Sequence, residues 1–173
     1  CVLCSALSVT AAVADQEKRH VIKVGYIDYD GFITEEKDGT YNYAKIDKCV
    51  RILKRNKMKL LPILNQAPPE AQPYHEHLDQ WADFVRQTVE RYRQVINEHN
   101  FTNQGHWGSR DLPVHTKHYT QLLKKTYETI KKIDPALQVL YGGTSHIPLE
   151  YIESTLRYGA GEWFDIMNVH PYG

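Results

Sequence analysis

The stretch "VINEHNF" (95–101) runs two apolar, β-branched residues straight into Asn97 and Glu98. A carboxylate there can serve as a general acid/base, as a metal ligand, or as a cap for the following turn. Its companions bear on that choice. Asn97 can hydrogen-bond a hydroxyl-rich ligand, and Trp107, in the segment after Glu98, offers a flat apolar face for a ring to stack upon. "NVHPY" (168–172) adds Asn168, His170 and Tyr172. A carboxylate with amides, a His, a Tyr and a Trp is a set suited to carbohydrate chemistry.

These residues can cooperate only if the fold delivers them to one place. Strand-like runs, "VIKVGYID" (21–28), "MKLLPILN" (58–65), "QVINEHN" (94–100), "LQVLYGG" (137–143) and "FDIMNVHPYG" (164–173), alternate with amphipathic helical patterns. The helical patterns cover 43–57, 77–93, 117–133 and 148–159; Pro148 opens the last and Gly159 closes it. Such alternation predicts an α/β fold with parallel strands and helices covering the sheet. Either a (β/α)₈ barrel or a doubly wound sheet satisfies it. No G-x-G-x-x-G turn opens any helix, so a dinucleotide cofactor is not expected. Asn65, Asn97-Glu98 and the segment from Asn168 to Tyr172 each follow or end a strand-like run. In both architectures that is the C-terminal edge, where active sites are built.

The chain has 173 residues with 21 basic and 21 acidic side chains, so charge gives no case for nucleic acid or an anionic membrane as partner. Its run "CVLCSALSVTAAVADQ" reads as the tail of a secretory signal, residues 1–14, with a short buried helix or strand as the competing reading. The first predicts a secreted or periplasmic protein. Nine histidines invite a metal site, but His115-x-x-His118 lacks a carboxylate at ligand spacing, and solvated surface histidines are the expectation. Trp81 falls on the apolar stripe of its helix, and the Lys pairs at 124–125 and 131–132 are expected to face solvent.

Residues 42–173 resemble the middle of a clan A glycoside hydrolase, with the flavour of families 39 and 5, most sharply at Asn97-Glu98 and "NVHPY". The resemblance implies a (β/α)₈ barrel that hydrolyses β-linked sugars with retention and no cofactor or metal. It implies Glu98 as acid/base, Asn97 as a contact to the sugar 2-hydroxyl, and His170 and Tyr172 near the end of the sixth strand. It also implies a partial TIM barrel, incomplete at its C-terminal end and completed by another chain or segment. A retaining enzyme needs a second carboxylate about 5 Å from the first, which the clan keeps on a seventh strand. Asp165 begins its strand, while Glu70 and Glu162 fall in loops, so none of the three is expected to replace it. "ERYRQVINE" leaves little room between helix and Glu98, which predicts either a helix ending near Val89 or residues missing relative to the clan. Residues 15–41 read as a separate N-terminal strand and loop, of which 17–41 resemble the opening of an extracellular solute-binding domain; an inactive fragment of a hydrolase lacking the nucleophile and a non-catalytic secreted sugar- or solute-binding protein are the alternative readings.

Overall fold

The protein's structure is a computed structural model that describes residues 21–22, 34–35, 40–64, 74–93, 98–101 and 112–171. Helices form where apolar residues recur at helical spacing. α1 (Ala44–Arg55) buries Ile46, Val50 and Leu53, and α2 (Leu78–Tyr92) buries Trp81, Phe84, Val85, Val89 and Tyr92. α3 (Leu112–Ile133) buries Tyr119, Leu122, Leu123 and Ile130, and α4 (Leu149–Arg157) buries Tyr151. Each large side chain removed from water in this way contributes roughly 1.5–3 kcal/mol.

The helix ends have local causes. The Asn42 side chain accepts a hydrogen bond from the Ala44 amide at the start of α1. Lys57 adopts φ 54°, and the Met58 and Lys57 amides return to the Leu53 and Lys54 carbonyls, which closes α1 in a Schellman motif. Gly159, at φ 88°, supplies the left-handed residue that ends α4. α2 continues to Tyr92, so the helix does not stop near Val89 as one expectation had it. α3 starts at Leu112 rather than Lys117, with Pro113 in its first turn, where a missing N–H costs nothing.

Nine short strands are described: β1 (Val21–Ile22), β2 (Thr34–Glu35), β3 (Tyr41–Asn42), β4 (Lys59–Leu60), β5 (Ile63–Leu64), β6 (Glu98–Phe101), β7 (Gln138–Leu140), β8 (Thr144–Ser145) and β9 (Val169–His170). β2 and β3 form an antiparallel pair. The other pairings are parallel: β1 with β4, β5 with β6, β6 with β7, and β8 with β9, with a bridge from Leu140 to Ile166. The run expected as one strand over 58–65 is split, because Pro62 has no N–H to donate to a ladder. Its first half pairs back to β1 and its second half forward to β6.

Each parallel run therefore lies beside the run that precedes it in the chain. Among the described residues the order never reverses, whereas a doubly wound sheet reverses at its switch point.

Polar groups inside this framework are matched mainly by threonines. Trp81 Nε1 donates to Thr126 Oγ1 at 2.8 Å, and the Tyr43 and Tyr141 hydroxyls pair with Thr88 and Thr155 at 3.1 and 2.9 Å. A buried indole or phenol left without such a partner would cost about 1–3 kcal/mol. At the N-terminal end of β7, Asp165 Oδ2 accepts from the Val139 amide at 2.7 Å and from Lys131 Nζ at 2.9 Å. Lys131 also donates to the Leu137 carbonyl at 2.6 Å. Lys131 thus departs from the solvent-facing role expected of it: it fastens the end of α3 to the start of β7.

Candidate functional site

The C-terminal ends of β7, β8 and β9 carry the described polar groups best placed for a ligand. β7 leads through Tyr141, Gly142 and Gly143 into β8, whose Thr144 and Ser145 pair with Val169 and His170. Tyr119, at 2% exposure, reaches up from α3, and its hydroxyl accepts a 2.8 Å hydrogen bond from the Gly142 amide. Its ring meets Tyr141 edge-on at 5.2 Å and Tyr151 at 5.9 Å. Burial pushes the Tyr119 and Tyr151 hydroxyls well above the usual phenol range and Tyr141 up to about 12. All three stay protonated at neutral pH, so they form a floor of rings and hydroxyls rather than a source of bases.

Just past β8, His146 adopts φ 60°, a left-handed conformation that costs a non-glycine residue free energy. The Thr144 hydroxyl donates to the His146 carbonyl at 3.0 Å and holds this turn in place. Nothing in the sequence patterns singled out His146. Asn168 lies between the Leu140–Ile166 bridge and β9, one residue before the Thr144–Val169 pair. Its Nδ2 is closed off from solvent and has no hydrogen-bond partner among the described residues. A buried amide donor left open in this way is costly, and its natural complement is an acceptor such as a hydroxyl or ring oxygen.

The remaining expected site residues are placed in part. Asn97, Trp107 and Tyr172 lie outside the described residues, as do Cys1, Cys4 and the whole of 1–14. Glu98 and His170 are described in their backbones, His170 on β9 opposite Ser145. Glu98 was expected to end its strand; instead the described part of β6 runs from Glu98 on to Phe101. Its ladder partner is Gln138, the first residue of β7, while Asn100 sits between Ile63 and Leu140. Three steps of about 3.3 Å each separate the Glu98 backbone from Phe101 at the other end of β6. The described strand reaches Phe101, one residue past the expected run, and His99 and Asn100 pair with Val139 and Leu140.

Of the acids considered as a second carboxylate, Asp165 is committed to Val139 and Lys131, and Glu162 lies exposed in a turn of 3-10 helix, Ala160–Glu162. Glu70 lies outside the described residues. Among the described residues no group of His, Cys, Asp and Glu is arranged to hold a metal ion. His75 and His118 are not simply solvated: their rings stack at 3.5 Å with planes 10° apart. A charged groove between α2 and α3, lined by Asp79, Asp83, Arg86 and Lys125 among others, lies on the helical layer. Several of its charges pair with one another, Lys125 with Asp79 at 2.7 Å and Arg86 with Asp83 and Glu90.

Comparison with known proteins locates this framework. No protein-family model matches the chain, and no curated protein matches its sequence. Solved structures do. The fold is similar to a psychrophilic glycoside hydrolase family 10 endo-beta-1,4-xylanase, at 17% identity and TM-score 0.62, over 79% of this chain and 51% of that one. It is similar to the family 39 glycoside hydrolase of Xanthomonas axonopodis pv. citri, at 18% identity and TM-score 0.62, over 88% and 35% of the two chains. A monomeric beta-xylosidase from Caulobacter crescentus CB15 matches at 22% identity and TM-score 0.55, over 88% and 36%.

The likeness is one of fold. These neighbours are TIM-barrel glycosidases of clan A. This chain spans about a third to a half of their length. No helix among its described residues is long and apolar enough to cross a membrane.

Proposed function

We propose that the chain forms part of a (β/α)₈ barrel and carries the sugar-binding, acid/base half of a retaining O-glycosyl hydrolase site for β-linked oligo- or polysaccharides. The observation that carries this reading is the open Asn168 amide between the end of β7 and the start of β9, in a fold similar to those of glycoside hydrolases. The unreversed order of parallel strands supports the barrel over the doubly wound alternative. Asn168 donates to a sugar oxygen, and Asn97, Trp107, His170 and Tyr172 complete the contacts. The ligand enters at the C-terminal edge.

Glu98 is the proposed acid/base, on the strength of the Asn97-Glu98 motif. In that role it gives its proton to the glycosidic oxygen as the bond to the anomeric carbon breaks. The β6 register opposes the assignment, since it sets the Glu98 backbone level with the first residue of β7. Replacing the residue separates the two. The second carboxylate of a retaining site comes from none of Asp165, Glu162 or Glu70, so another segment or chain supplies it. The protein is proposed to act outside the cytoplasm.

Titration of a xylo-oligosaccharide into the labelled chain, followed by NMR, tests the site. The Asn168 side-chain amide should shift, and Asn168→Ala should weaken binding about 5- to 10-fold, the worth of one hydrogen bond. Shifts confined to the α2–α3 groove would overturn the proposal.

A further inference from the structure

A turn of 3-10 helix, Tyr74–Glu76, packs against α3 just before α2 begins. The two are joined ring to ring by His75 on His118, with centroids 3.5 Å apart and planes 10° from parallel. Imidazole lone pairs lie in the ring plane, so parallel rings aim them side by side and do not converge on one ion. Two neutral imidazoles stack well, whereas two imidazolium rings at this separation set like charges face to face. The surroundings oppose a second proton. Burial, then His75, then His115 and Lys117 on α3 hold the His118 pKa below its ordinary range, and Glu76 works the other way. Glu76 Oε1 is 3.7 Å from His75 Nε2 but largely exposed, so solvent screens the pair. On α2, which also touches the turn, Asp79 is committed to Lys125 at 2.7 Å. α2 is fastened to α3 without help from the stack: the Trp81 indole donates to Thr126 at 2.8 Å. The Trp81 amide donates to the His77 carbonyl, which closes the start of α2 just beyond the turn.

We infer that the His75–His118 stack is an acid-released clasp: with both rings neutral it holds the Tyr74–Glu76 turn on α3, and with a proton on each the turn swings away about His77 while α2 stays docked. The clasped state binds fewer protons than the released one, so acid favours release. Release therefore sets in as pH falls below the ordinary histidine value of about 6.5. The turn belongs to the connection that leaves the C-terminal end of β5, so the clasp fixes one part of the rim on the strand-exit side.

NMR of the full chain on either side of the histidine range, at about pH 7.5 and about pH 5, tests this. Nuclear Overhauser contacts between the two imidazole rings should be present at the upper pH and fade at the lower. The released fraction should rise about 5-fold or more, the effect of two unit charges at this range even in water-like surroundings. The Trp81 indole N–H signal, which reports the α2–α3 contact, should not move. His75→Phe keeps a flat ring on His118 but removes one titrating group, so its ring contacts should persist at the lower pH. Ring contacts absent at the upper pH, or undiminished at the lower, overturn the proposal. A His75→Phe chain that loses them as the parent does overturns it too. So does a Trp81 signal lost in step with the stack, since the helices would then be separating rather than the turn alone.

Discussion

Tyr119→Phe is the substitution that bears most directly on how the strand exits are held. The phenylalanine keeps the edge-on ring contact to Tyr141 and the tilted one to Tyr151 but removes the oxygen that accepts from the Gly142 amide at 2.8 Å. Gly142 is buried, so its N–H is left without that partner and away from water. Stranding a buried donor costs about 1–3 kcal/mol, against near-neutrality for removing an exposed hydroxyl. In a domain of this length that corresponds to a fall in Tm of roughly 2 to 12 °C. Urea unfolding should show a lower midpoint at unchanged slope. Hydrogen exchange at Gly142 should accelerate by about 5- to 150-fold, if the amide opens locally by the same free energy. A stability change below about 0.5 kcal/mol, with Gly142 protection intact, would refute the bond and the packing argument built upon it.

Other consequences are equally open to measurement. Asp47→Ala should cost about 1–2 kcal/mol, since the Asp47–Arg91 pair is half-exposed but the Tyr92 hydroxyl loses its acceptor; a double-mutant cycle with Arg91→Ala should show coupling, and additivity would contradict it. Burial first, then His75, depresses the His118 pKa below 6.5, so the unfolded chain takes up that proton first. Stability should therefore fall as pH drops through 6.5 toward the lower folded value, and His118→Gln should flatten that slope; an unchanged slope would contradict it. Asp165→Ala should destabilise by about 1–3 kcal/mol through the Val139 amide and Lys131, without altering sugar binding. Lost sugar binding at unchanged stability would instead put Asp165 in the site.

The helices were legible because an apolar stripe at helical spacing has one efficient way to be buried. α1, α2 and α4 fall within a residue or two of the expected spans. Trp81 was readable as core for the same reason, and it is 2% exposed. Strands were harder. A short apolar run shows that a strand exists but does not show where pairing stops, and pairing depends on neighbours distant in sequence. Pro62 could have announced the break between β4 and β5, since its missing N–H is written in the sequence. The continuation of β6 past Glu98 to Phe101 could not be read there, because it depends on Val139, Leu140 and Leu64 as partners. The Lys131–Asp165 tie and the His75–His118 stack are contacts between segments far apart in sequence, invisible to any local pattern.

The central claim is that this chain binds a β-linked sugar and donates a proton through Glu98, with the second carboxylate supplied from elsewhere. An added anion can stand in for that carboxylate. The decisive measurement is release of 4-nitrophenol from an aryl β-glycoside, with and without azide, by the chain and by Glu98→Ala. In the predicted reaction azide forms the new bond to the anomeric carbon, the bond to the phenol oxygen breaks, and Glu98 supplies the proton to that oxygen, leaving an α-glycosyl azide. The account predicts release that requires azide and is lost in Glu98→Ala. Release unaffected by the substitution, or none at all from a folded chain that binds the sugar, would contradict it.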